Sequence, residues 1–85
     1  MSTVDLMKAW ADHAARPFQG MQRSDIQEQL VIAIGMAIRV AAPLVRGLSD
    51  VIIAYKWSEK NVITVEMNPE EITQDMLIVK GEAWV

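Results

Sequence analysis

The sequence predicts an α+β domain in which two N-terminal helices pack on a small three-stranded sheet. Two observations predict this fold. Apolar residues recur at helical spacing as far as Val45, and from Val51 onwards they alternate as in a strand. The predicted order is α, α, β, β, a short α and β. Because 85 residues support a single core, we predict one domain over 1–85, with a helical half at 1–48 and a sheet half at 49–85.

The first helix is predicted to begin at Ser2 or Thr3, which are good capping residues. It should end near Ala15, because Pro17 moves Arg16 out of the α region. The segment after it should form a loop up to the next helix. The apolar stripe of this helix consists of Met7, Trp10, Ala11 and Ala14.

The second helix is predicted to run from Asp25 to about Val45. Ser24 and Gln27 have the spacing of a capping box at its start. The segment Leu30–Ile38 has no polar side chain, so this helix should be buried on more than one face.

A membrane span is the rival interpretation of this apolar run. The run from Leu30 to Val45 is shorter than the roughly 20 residues that a span needs. Arg39 would lie near its middle, and Pro43 interrupts its end. We therefore predict no membrane role, and we expect Pro43 or Gly47 to end or kink the helix.

Strands are predicted at Val51–Trp57 and Val62–Met67, joined by the polar turn Ser58–Asn61 into a hairpin. A two-stranded hairpin is marginal alone, so a third strand, Met76–Ala83, should pair with it. Gly81 is the candidate for a bulge in that strand.

A short helix is predicted between the second and third strands. Asn68 is a favourable cap, Pro69 suits the first helical position, and a following Glu can reach back to the cap. This helix should end around Asp75, where strand composition returns.

The charges are distributed unevenly along the chain. The net charge is −3, and residues 49–85 carry seven Asp or Glu against three Lys. An acidic half repels phosphate backbones, so we predict no nucleic-acid partner and favour a basic protein surface. The chain has no cysteine, which excludes disulfides and thiolate metal sites, and its first residues lack a signal-peptide pattern. These features favour a cytoplasmic location, or a virion if the protein is phage-encoded.

No motif predicts catalysis or a cofactor, so we expect neither an enzyme nor a cofactor or metal site. His13 is the only histidine and is interpreted as a solvated helix residue, because a general base needs a positioned partner. Consecutive helical carboxylates do not converge on one cation, so the acidic residues are interpreted as a cap and an acidic surface. That surface comprises Glu66, Glu70, Glu71 and Asp75.

Protein contacts remain as the predicted mode of action. A ridge of small residues on the second helix, Ala33, Ala37 and Ala41, should pack within the domain. The large apolar residues of that helix would then need a partner, and tryptophans are frequent at interfaces as well as in small cores. The predicted interface consists of Leu30, Ile34, Ile38, Trp10, Trp57 and Trp84.

The favoured function is a structural or assembly protein that forms a homo-oligomer or joins a larger complex. The alternative is a small acidic inhibitor or adaptor that binds a basic protein surface. The segments Val65–Ile72 and Leu77–Val79 resemble the strand, capped turn and strand endings of bacteriophage tail and virion proteins. This generic resemblance covers about a fifth of the chain and implies no role for a particular residue.

Overall fold

A computed structural model describes residues 3–41 and 52–80 and confirms the predicted α+β arrangement. Two helices precede a three-stranded antiparallel sheet, in the predicted order. The helices are α1 (Thr3–Ala15) and α2 (Arg23–Ala41), and the strands are β1 (Ile52–Trp57), β2 (Ile63–Glu66) and β3 (Leu77–Lys80). A 3-10 helix, Arg16–Phe18, follows α1, and a second, Pro69–Glu71, precedes β3.

Helix α1 has the predicted end and buries the predicted stripe. Met7 and Ala11 are fully buried, and Trp10 and Ala14 are partly buried against the same core. Pro17 occupies the start of the 3-10 helix that follows, where its missing N–H costs nothing.

Helix α2 begins at Arg23, two residues before the predicted start. The predicted capping box is wrong, because Ser24 lies inside the helix and Gln27 has another partner. The Gln27 Oε1 atom accepts a hydrogen bond from Arg23 Nε at 2.9 Å. The predicted helix end at Pro43 and Gly47 lies outside the described residues.

The sheet has the order β2-β1-β3, with β1 antiparallel to both neighbours. This arrangement confirms the predicted hairpin and the pairing of the third strand with it. At the hairpin turn, Ser58 N–H donates to Val62 O at 3.0 Å, and Asn61 takes the left-handed conformation with φ 59°. The predicted bulge at Gly81 lies outside the described residues.

The core lies between the inner face of the sheet and the two helices. Tyr55 at the centre of β1 stands opposite Val65 on one side and Leu77 on the other, so these side chains share one face. All three are buried. The buried cluster also includes Met7, Ala11, Ala15, Ile26, Leu30, Ile34, Ile38, Ile53, Ile63 and Val79.

Tyr55 and Gln19 each form a polar link between the helical half and the sheet. The Tyr55 hydroxyl donates to Ala11 O at 2.9 Å. The Gln19 side-chain amide pairs with the backbone of Ile63, donating to its carbonyl and accepting from its N–H, both at 2.8 Å. Gln19 thus imitates one residue of a neighbouring strand and satisfies backbone groups at the edge of β2.

The helical turn before β3 is shorter than predicted. Asn68 caps it as expected, since its Oδ1 accepts from Glu70 N–H at 3.1 Å. The carboxylate that reaches the cap belongs to Glu66, which accepts from Asn68 N–H at 3.3 Å. The turn ends at Glu71 and not near Asp75, because a tight turn closed from Met76 N–H to Thr73 O replaces further helix.

Tyr55 gives the fold an expected alkaline pH dependence. Burial, aided by the negative charge of Asp12, raises the pKa of the Tyr55 hydroxyl above its ordinary value. A group with a raised native pKa stabilises the fold below its unfolded pKa, and this contribution declines as the pH rises above about 10. Tyr55 is the only tyrosine, so tyrosinate absorbance should appear only as the chain unfolds, and Tyr55→Phe should lack this contribution. Tyrosinate formed with an ordinary midpoint while circular dichroism stays native would contradict the burial of Tyr55.

Candidate interaction surface

An exposed apolar patch lies on the side of α2 that points away from the core. Ile32 and Met36 are each 63% exposed, and Val31 is 38% exposed. Ile32 and Met36 are neighbours on the helix surface because they lie four residues apart. We call these three side chains, together with Gly35, the outer face of α2. The other exposed large apolar side chains of the described residues are dispersed over other elements: Met21, Val62 and Ile78.

The position of the outer face follows from the buried stripe of the same helix. Ile26 and Leu30 are buried, and Leu30 lies one helical turn before Ile34. Ile32 is two residues from both Leu30 and Ile34, which turns it about 160–200° from them. The stripe that anchors α2 therefore points Ile32 into solvent.

Charged side chains flank the outer face at its two ends. Glu28 and Arg39 are both exposed and are eleven residues apart, about three helical turns. Between them, a Cβ atom built on Gly35 would meet no heavy atom within 4 Å. The surface thus combines apolar side chains, an open position at Gly35 and one charge of each sign.

The predicted interface on α2 is wrong for Leu30, Ile34 and Ile38. Each has 0% of its surface exposed and belongs to the core of this chain. The small-residue ridge and these large apolar residues lie on the same side of α2, because Leu30 and Ala33 are three residues apart and are therefore neighbours on the helix surface. Ala37 also packs against the core, while the side chain of Ala41 lies outside the described residues.

Trp10 and Trp57 are only half-buried and both also serve the fold. Trp10 packs against the core and meets His13 edge-on, with ring centroids 6.3 Å apart, beside a shallow apolar groove that Ala9 also lines. The Trp57 Nε1–H donates to Met21 O at 3.2 Å. The Arg23 guanidinium lies 5.7 Å from the Trp57 ring centroid, a cation–π distance.

The remaining predicted contact residues are Trp84 and the four acidic residues. Trp84 lies outside the described residues. Two of the acidic residues have local hydrogen-bond partners: Glu66 accepts from the backbone at the Asn68 cap, and Asp75, which is exposed, accepts from Thr73. Glu70 and Glu71 are exposed.

Asp75 belongs to a small polar cluster that ties α2 to the turn before β3. Its carboxylate accepts a hydrogen bond from the Thr73 hydroxyl, which lowers the pKa of Asp75, with smaller contributions from its own backbone, Lys56 and Arg23. Arg23 Nη1 donates to the backbone carbonyl of Asp75 at 2.6 Å. The cluster therefore has an evident structural role.

Within residues 3–41 and 52–80, no three His, Asp or Glu side chains converge as a metal site would require. No described helix combines the length and the hydropathy needed to cross a membrane. His13 is exposed, as expected for a solvated helix residue.

Comparisons with protein-family models, with curated proteins and with solved structures gave no match. The geometry of the chain is therefore the basis for a functional proposal. Sequence reasoning missed Val31, Ile32 and Met36, although Ile32 and Met36 have the four-residue spacing of a helix face.

Proposed function

We propose that this chain is a non-enzymatic structural or assembly protein that self-associates, or joins a larger complex, through the outer face of α2. The supporting observation is the exposure of Ile32 and Met36, 63% each, next to Val31 on one helix. Single exposed apolar side chains are ordinary, but neighbouring ones on a helix form a surface that another helix or a groove can cover.

Ile32→Asp should abolish this association and leave the fold intact. Burying a large aliphatic side chain contributes about 1.5–3 kcal/mol, and in a symmetric dimer the residue counts twice. The loss therefore corresponds to about a hundredfold or more in the dissociation constant. Light scattering over a concentration series measures the mass, and circular dichroism measures the fold.

Val62→Asp is the matched control, because Val62 is also an exposed apolar residue, at 49%, but lies in the hairpin turn. It should associate as the wild type does. An Ile32→Asp variant that associates normally would overturn the proposal.

The acidic adaptor remains the alternative function, with Glu70 and Glu71 as its supporting residues because both are exposed beside each other. A phage-encoded accessory or virion role is compatible with either function. Binding to a basic protein that survives Ile32→Asp, but weakens with added salt and with Glu70→Lys and Glu71→Lys together, would favour the adaptor.

A further inference from the structure

The residues of the outer face of α2 are arranged symmetrically about the midpoint between Ala33 and Ile34. Glu28 and Arg39 are equidistant from that midpoint, with opposite charges. Ile32 and Gly35 are also equidistant from it, and they pair a large side chain with an open position. Val31 and Met36 form the third such pair, and both are exposed and apolar.

We infer that the partner of this surface is a second copy of the chain, packed antiparallel through α2 about a two-fold axis at that midpoint. The inference rests on the proposed function and specifies its partner. In such an arrangement, each residue faces the residue at the equivalent distance on the other side of the midpoint in the second copy.

The second copy would lie against the exposed side of α2. At 100° per residue, Glu28, Ile32, Gly35 and Arg39 all lie within about 30° of one direction, which is about 150° from the centre of the buried stripe of Ile26, Leu30, Ile34 and Ile38. The line from α2 to the second copy would run along this direction, and the two-fold axis would lie midway between the two helices, perpendicular to that line. The same antiparallel pairing placed on the core side would require residues that are already buried.

Each facing pair is complementary. Glu28 of one copy meets Arg39 of the other, and the symmetry makes this contact twice. Ile32 is placed over Gly35, where a Cβ would have no neighbour within 4 Å, so the helices can approach closely. A parallel pair would instead oppose Glu28 to Glu28 and Arg39 to Arg39.

The affinity of this dimer should be modest. One helix pair is small beside the roughly 1,600 Å² of a typical stable interface. We therefore expect association in the micromolar range, which sedimentation equilibrium or light scattering over a concentration series can resolve.

Charge reversal tests the antiparallel register. Glu28→Arg and Arg39→Glu should each weaken self-association by about tenfold or more, because each change converts two attractive contacts into two repulsive ones. An equimolar mixture of the two variants should associate again as a heterodimer, and the double variant should associate as the wild type does. Glu59→Arg and Arg16→Glu reverse exposed charges away from α2 and should have no effect.

Gly35→Leu is a second test of the register, and it should change the stability of the monomer as well as self-association. Leucine is a better helix former than glycine and would enter open space in the monomer, so the melting temperature should rise. Its side chain would fill the position that Ile32 of the second copy occupies, so self-association should fall by about tenfold or more.

The outcomes separate this inference from the proposed function. If Ile32→Asp abolishes association while the single charge reversals do not weaken it, or their mixture is not restored, the antiparallel register is overturned and the function is not. If the wild type is monomeric at millimolar concentration, the second copy is excluded.

Discussion

Ile34→Asp should leave the chain largely unfolded. The Ile34 side chain is fully buried between α2 and the rest of the core. Its replacement removes about 1.5–3 kcal/mol of apolar burial and places a carboxylate in an apolar site, which costs several kcal/mol more. The sum approaches the whole stability of a small domain, about 5 kcal/mol at the lower end of the usual range. Circular dichroism and thermal melting measure the effect.

Ile32→Asp is the matched control, since it makes the same substitution on the same helix two residues away. The Ile32 side chain is mostly exposed, so this variant should melt within a few degrees of the wild type. An Ile34→Asp chain that stays folded would place Ile34 on the surface and contradict the orientation of α2.

Truncation after Asp75 should abolish cooperative unfolding. Removing β3 takes away one of the two antiparallel neighbours of β1 and the buried side chains of Leu77 and Val79. A two-stranded hairpin would remain, and such hairpins are marginal in water. Each lost side chain contributes about 1.5–3 kcal/mol by burial alone, so little of the stability of a small domain should remain.

A chain that ends at Lys80 is the control for this truncation, because it keeps all three strands and lacks only residues 81–85. Thermal melting and calorimetry compare the two. A chain ending at Asp75 that melted cooperatively near the wild-type temperature would show that β3 is dispensable.

The elements of this fold could be predicted because their local signals are strong. Pro17 ended α1 and the change of period after Asp50 predicted the strands. The start of α2 was harder, because Ser24 and Gln27 fit the spacing of a capping box. That spacing does not include the competing bond between Gln27 and Arg23, which forms in the folded chain.

The orientation of α2 was the main error, and its cause is the composition of the helix. Between Leu30 and Ile38 every residue is apolar, so hydrophobicity alone does not show which side faces the core. The buried side is defined by the packing of α2 against α1, and by Ile26, which extends the buried stripe one turn before Leu30. The contacts between α2 and the other elements therefore show which side of the helix is buried, and the periodicity of one segment does not.

The acidic surface shows the same limit for polar residues. Glu66, Glu70, Glu71 and Asp75 look equivalent in the sequence. In the fold, Glu66 accepts backbone hydrogen bonds next to the Asn68 cap, and the Thr73 hydroxyl holds Asp75. Local turn geometry gives Glu66 and Asp75 hydrogen-bond partners within the turn, and no composition rule predicts which carboxylates will have them.

The links that Tyr55 and Gln19 form between the helical half and the sheet also affect how the chain folds. Tyr55 with Ala11 and Gln19 with Ile63 are hydrogen-bonded partners that lie 44 residues apart along the sequence. The α1–α2 pair and the β1–β2 hairpin consist of local contacts and can form early. Closing a loop of this length lowers the entropy of the chain, and the contacts that offset this loss form only after the loop has closed. We therefore expect docking of the helices on the sheet to be the slow step, with a folding rate below that of a helical bundle of equal length.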